Sequence, residues 1–94
     1  MKIIWSLRAS KELDQTCNYW INKNKSNSYS NKIIDETLRK INLIIENSKI
    51  GIESKKSRLR RVLILDNFSL TYKLSKNKIH IVSFFDNRRD PNAI

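Results

Sequence analysis

The 94-residue sequence holds one glycine, one proline, one cysteine and one histidine, and each scarcity removes a class of chemistry. With Gly51 alone there can be no Walker loop, dinucleotide fingerprint or GXXG clamp, since each needs several glycines to bring backbone against phosphate. Cys17 and His80 cannot make a zinc site of ordinary ligand spacing, and a lone thiol cannot close a disulfide within the chain. An unpaired cysteine suits a reducing compartment. No Ser/His/Asp set can be argued from spacing, and the aromatic signature of an RRM is missing. Neither a Pro/Gly linker nor an internal repeat is visible, so residues 1–94 read as a single domain. The length leaves no room for a cofactor domain beside a substrate domain, and no cofactor or metal is expected. Long apolar runs are missing as well. Lys2-Ile3-Ile4-Trp5 gives way at once to charge, which fails both the signal-peptide and the transmembrane length tests and predicts a cytoplasmic protein without membrane contact.

Acidic residues are the other shortage. Nine Asp and Glu face nineteen Lys and Arg, a formal charge of +10 that attracts polyanions or an acidic protein. Ile, Lys and Asn supply 37 of the 94 residues, a bias that an A/T-rich genome produces unaided, so lysine number carries little weight. Arginine placement carries more: Arg58, Arg60, Arg61, Arg88 and Arg89, five of seven, fall in the last 37 residues.

Residues 2–5 are β-prone, and Ser6 offers an N-cap for a helix to about Asn24, with Ala9, Leu13, Cys17, Trp20 and Ile21 on one face. After the polar stretch 23–28, a second helix from about Ser28 to Asn47 carries Ile33, Ile34, Leu38, Ile41, Ile44 and Ile45 along one stripe. So short a turn predicts an antiparallel helical hairpin. Gly51 is expected to take the left-handed conformation that ends the helix or turns the chain. Leu59 to Leu65 reads as a strand whose run Val62-Leu63-Ile64-Leu65 predicts burial on both faces. Asp66-Asn67 marks a turn. Residues 69–75 alternate, with Leu70, Tyr72 and Leu74 inward and Thr71 and Lys73 outward. Lys76-Asn77-Lys78 turns into a last strand, Ile79 to Phe85. The order is β-α-α-β-β-β, an α+β domain with a helical hairpin on a small, largely antiparallel sheet.

That order, together with Leu59-Arg60-Arg61-Val62, Leu70-Thr71-Tyr72-Lys73-Leu74 and the run from Ile81 through Asp86-Asn87-Arg88-Arg89-Asp90-Pro91, resembles the RelE/ParE superfamily of bacterial toxins. The likeness extends over nearly the whole chain, including the Ala9 to Trp20 helix with Leu13 and Tyr19-Trp20, and the Ile50-Gly51 stop. It implies the toxin of a type II toxin–antitoxin pair, held by a small antitoxin with an acidic or amphipathic segment. RelE-like members cut mRNA in the ribosomal A site, whereas ParE-like members poison DNA gyrase.

RNA cleavage through the 2′-OH needs a base, cationic clamps and an acid at one spot. RelE-like nucleases place a basic cluster on the middle strands, an arginine late in the last strand and a Tyr or His near the C-terminus. Arg60 lies near one of their lysine positions and Arg88 matches the late arginine. Val62 stands at the second lysine position, Ser69 at a strand arginine, and Asp90-Pro91-Asn92-Ala93-Ile94 has neither Tyr nor His. The incomplete set favours the ParE-like branch. The alternatives are a ribosome-dependent endoribonuclease using Arg60 and Arg88, with His80 as a base, and a non-toxic basic nucleic-acid-binding domain.

His80 is expected on a strand, facing with Val82 and Phe84 and away from Ile79 and Ile81, as a structural histidine. Tyr72 and Cys17 read as core. Lys55, Lys56, Arg58, Arg60, Arg61, Arg88 and Arg89 are the expected target-binding residues, converging on one electropositive surface beside the helices. Leu13, Trp20, Ile34 and Leu38 are the expected antitoxin-binding residues, with Trp5, Trp20 and Tyr19 as core or groove aromatics.

Overall fold

The computed structural model describes residues 1–88 and has the order β1 (Lys2–Trp5), α1 (Leu7–Asn24), α2 (Ser28–Glu46), β2 (Ile52–Glu53), β3 (Arg60–Ile64), β4 (Phe68–Ser75) and β5 (Lys78–Asp86). The five strands form one sheet in the order β1-β5-β4-β3-β2. All neighbours are antiparallel except β1, which runs parallel to β5. The expected architecture is present, with a two-residue strand, β2, added at the edge.

Ser6 joins the sheet to the first helix. Its hydroxyl accepts from the Ala9 amide at 3.0 Å, the N-cap bond the sequence predicts, and donates to the Val82 carbonyl at 3.0 Å. Its own amide donates to the Ile81 carbonyl at 3.0 Å. One residue thus satisfies a helix terminus and the edge of β5 where β1 stops.

Both helices pack on one face of the sheet. Ala9 and Cys17 of α1 and Ile33, Ile41 and Ile44 of α2 meet Ile64, Phe68, Leu70, Tyr72, Ile79, Ile81 and Phe84 in one buried cluster. The stripe expected along α2 divides in two. Ser30, Ile33, Thr37, Ile41 and Ile44 are buried, while Ile34, Leu38 and Ile45 are exposed, Leu38 at 54%. Small hydroxyl residues hold the inner positions because each can return its proton to its own helix: Thr37 donates to the Ile33 carbonyl at 2.7 Å and Ser30 to the Asn27 carbonyl at 2.9 Å.

Gly51 departs from its expected role. No glycine has a positive φ, while Lys25, Arg58, Leu65, Asp66, Lys76 and Asn77 do. Gly51 is required by crowding: a Cβ there would lie 2.8 Å from Cε1 and the hydroxyl of Tyr72 and 3.1 Å from Cβ of Arg60. The left-handed turns of this glycine-poor chain fall on Asn, Asp and bulkier residues, with Leu65 and Asp66 forming the β3–β4 turn.

The run 62–65 is not buried on both faces. Ile64 is buried and Leu63 is 42% exposed, because the helices cover only one face. In β5, Thr71 pairs with Ser83 but Tyr72 with Ile81, which leaves Val82 as an extra residue, a β-bulge. The bulge exchanges the faces beyond it. Phe84 therefore joins Ile79 and Ile81 in the core, and His80 does not share its face as simple alternation predicts.

Candidate functional site

The face of the sheet away from the helices carries a groove of about 370 Å³. Strand register builds its floor: Ile52, Arg61, Thr71 and Ser83 pair successively across β2, β3, β4 and β5, and Ser69 and Phe85 form the next row. Arg8, from the first turn of α1, closes one side, and Ser54, Ser57 and Leu59, from the β2–β3 loop, close the other. Ser69 donates to Oδ1 of Asn87 at 2.9 Å, which fixes the far end. The result is a concave surface with Arg8 at one side, Arg61 in the floor and hydroxyl groups around them, suited to carboxylate or phosphate oxygens.

The loop carrying Lys55, Lys56 and Arg58 is held in shape by its own backbone. The Ser54 amide donates to the Leu59 carbonyl at 2.8 Å and the Arg58 amide to the Ser54 carbonyl at 2.9 Å. All three basic residues are exposed beside the groove. Arg8 is steadied by Glu12, with Nε 3.4 Å from Oε2.

The expected arginine cluster divides into separate roles. Arg60 shares its face with Tyr72, and its Nη1 donates to the carbonyls of Gly51 at 2.9 Å and Lys49 at 3.1 Å, while Nη2 lies 3.8 Å from Glu53. It ties the α2–β2 connection to β3 and also lines the groove. Arg61, the next residue, points to the open face. Arg88 lies at the other end of the sheet, past the Ile64–Phe68–Asp86 row. Its guanidinium sits 4.6 Å from the ring centre of Trp20 and 5.3 Å from that of Phe68, donates to the Tyr29 hydroxyl at 3.3 Å, and pairs with Asp86 at 3.5 Å. Arg60, Arg61 and Arg88 therefore do not converge, because neighbouring strand residues face opposite ways and Arg88 turns back under the helices. Arg89 lies outside the described residues.

His80 lies outside the groove lining, its ring Nε2 2.9 Å from the Ser75 hydroxyl. Tyr72 is fully buried. Its hydroxyl donates to the Ser48 carbonyl at 2.8 Å and accepts from the Gly51 amide at 2.9 Å. Burial pushes the phenol above its ordinary range, and the Gly51 amide and the Arg60 charge oppose that shift. The buried Cys17 thiol is likewise raised, first by burial and then by Asp14, which leaves it a poor nucleophile. Among the described residues the only carboxylate lining the groove is Glu53, ion-paired to Arg60. Among the described residues no group of three or more His, Cys, Asp and Glu could hold a metal ion, and no helix is long and apolar enough to cross a membrane.

Of the residues expected to meet an antitoxin, Leu13 and Trp20 pack against the core and Ile34 and Leu38 are exposed. Arg8, Thr71, Ser83, Phe85 and Asn87 are groove residues that sequence reasoning missed. Thr71 was legible as an outward strand position. Ser83 and Phe85 were hidden by the bulge, and Arg8 and Asn87 reach the groove only through tertiary packing.

No protein-family model matches the sequence, and no curated protein matches it. Solved structures do. A chain of the chromosomal ParDE TA system from P. aeruginosa superposes with a TM-score of 0.75 at 15% identity, covering 92% of this chain and 95% of that one. YafQ from E. coli strain BL21(DE3) superposes with a TM-score of 0.62 at 14% identity, covering 94% of each chain. From β1 through β5, the helical hairpin on its mostly antiparallel sheet is the RelE/ParE-like fold.

Proposed function

We propose that this chain is the toxin of a type II toxin–antitoxin pair and that it is ParE-like, arresting growth by binding and poisoning DNA gyrase. The observation that carries the reading is the chemistry of the groove. Among the described residues it offers Arg8, Arg60, Arg61 and a floor of hydroxyls, while its one carboxylate is held by Arg60 and the histidine stands outside. A nuclease needs a base and an acid at the scissile phosphate; a protein that acts by contact needs neither. Arg61 with Lys55, Lys56 and Arg58 at the rim supplies the cations for an acidic target surface, and strong positive charge speeds such an encounter. Arg60 is held by the Gly51 and Lys49 carbonyls, and Arg88 lies outside the groove.

The cognate antitoxin is a small protein whose amphipathic helix seats on the exposed row Ile34, Leu38 and Ile45 of α2. Spacing of i, i+4 and i+11 places these residues on one side of the helix, and a partner with acidic flanks complements the +10 chain. Controlled expression tests the whole reading. Growth arrest with chromosomal DNA breaks and intact transcripts supports it. Codon-positioned mRNA cuts by primer extension, with supercoiling unchanged, assign the RelE-like activity instead, and harmless expression removes both.

A further inference from the structure

The connection between α1 and α2 carries a charged surface that the groove does not use. From Gln15 to Ile34 the sequence has no acidic residue, and within that span lie Lys23, Lys25 and Lys32. Packing adds a fourth cation. Lys23 Nζ lies 5.0 Å from the ring centre of Trp20, and Arg88 lies 4.6 Å from the same ring. Tyr29 meets Trp20 edge-on at 5.0 Å and hydrogen-bonds Arg88. Lys32 stands one turn beyond Tyr29 and lines a cleft with it, and Lys25 is the left-handed residue that ends α1. Asp86 is buried against Arg88, and Glu36 and Asp66 line the cleft on the far side of Lys32 together with Arg39 and Lys40.

We propose that this end of the hairpin is a contact surface for the phosphate backbone of duplex DNA. Between the cations are exposed Asn22, Asn24, Ser26, Asn27 and Ser28, the amide and hydroxyl donors that commonly meet phosphate oxygens. An acidic protein would satisfy the charge equally, but protein interfaces centre on buried apolar or aromatic anchors. Here the exposed apolar side chains, Tyr19 and Ile34, flank the span in sequence with none exposed between them, and Trp20 is already covered by Lys23 and Arg88. The Trp20 ring keeps Lys23 and Arg88 together at this end of the hairpin.

Binding of the full chain to a 20-base-pair duplex, measured by fluorescence anisotropy against salt, tests this without any gyrase, so its outcome is separate from that of the proposed function. Four phosphate contacts give a slope of log K against log salt of about −3.6. The variant K23Q/K25Q/K32Q is expected to bring the slope to about −1 and to weaken binding at least ~10-fold at low salt, by the same counterion release. The equally charged control K73Q/K76Q/K78Q, at the β4–β5 turn, stays within about twofold of the parent if the contact is local. Equal losses in the two triples, or no loss in the first, overturn the proposal. So does an amide shift map in which a Glu-rich peptide moves residues 20–30 and the duplex does not.

Discussion

The Tyr72 hydroxyl and the Gly51 amide meet at 2.9 Å inside the protein, and that contact fixes where the chain leaves α2 for the sheet. Gly51→Ala inserts a methyl group 2.8 Å from the tyrosine ring, so the ring or the connection must move. The expected loss is about 1–3 kcal/mol, as for other over-packed sites. Tyr72→Phe leaves the Gly51 amide and the Ser48 carbonyl without their partner and costs about 1–3 kcal/mol. Urea unfolding of each variant reads both values.

The same hydroxyl gives stability a pH dependence. Burial raises the Tyr72 phenol above the ordinary value, so the native state holds a proton that the unfolded chain releases near pH 10. Stability from this group is complete below about pH 10 and declines as pH rises toward the native value. Tyr72→Phe is expected to start less stable at pH 7 and to lose less between about pH 9 and 11. A parallel decline in both proteins contradicts the assignment.

Glu12 closes the β5 edge beyond the end of β1, its Oε1 accepting from the Phe84 amide at 3.1 Å. Glu12→Ala leaves that edge amide unpaired and is expected to cost about 1–3 kcal/mol, whereas Glu12→Gln keeps an acceptor and loses less. Thermal unfolding of the two variants ranks them.

Arg60 and Arg61 are adjacent in sequence and opposite in role. Arg60→Ala removes the bonds to Lys49 and Gly51 and is expected to lower Tm by several degrees. Arg61→Ala touches only the open face, and is expected to keep Tm within about a degree while growth arrest is lost, as surface substitutions usually leave stability unchanged. Growth curves on induction, beside melting of the purified variants, separate the two.

The sequence made the elements readable where period and caps agreed: Ser6 before α1, the polar break before α2, and the alternation of 69–75. Three features needed the folded chain. Thr37 and Ser30 replace the expected apolar residues at inner positions of α2 because a hydroxyl can bond its own helix, which apolar counting does not register. The Val82 bulge reverses the faces of Ser83, Phe84 and Phe85, so the groove floor could not be read from alternation. Arg88 was visible as a cation near the end of the last strand, but its place among Trp20, Tyr29 and Phe68 joins residues up to 68 positions apart in sequence, and no local pattern encodes it.

Gyrase itself provides the most direct test of the account. Purified chain added to gyrase, ATP and relaxed plasmid is expected to block supercoiling and to trap covalent protein–DNA breaks, with Arg61→Ala inactive and Arg88→Lys retaining activity. Unchanged supercoiling, no trapped breaks, and cleavage of mRNA on translating ribosomes by the same preparation would contradict it.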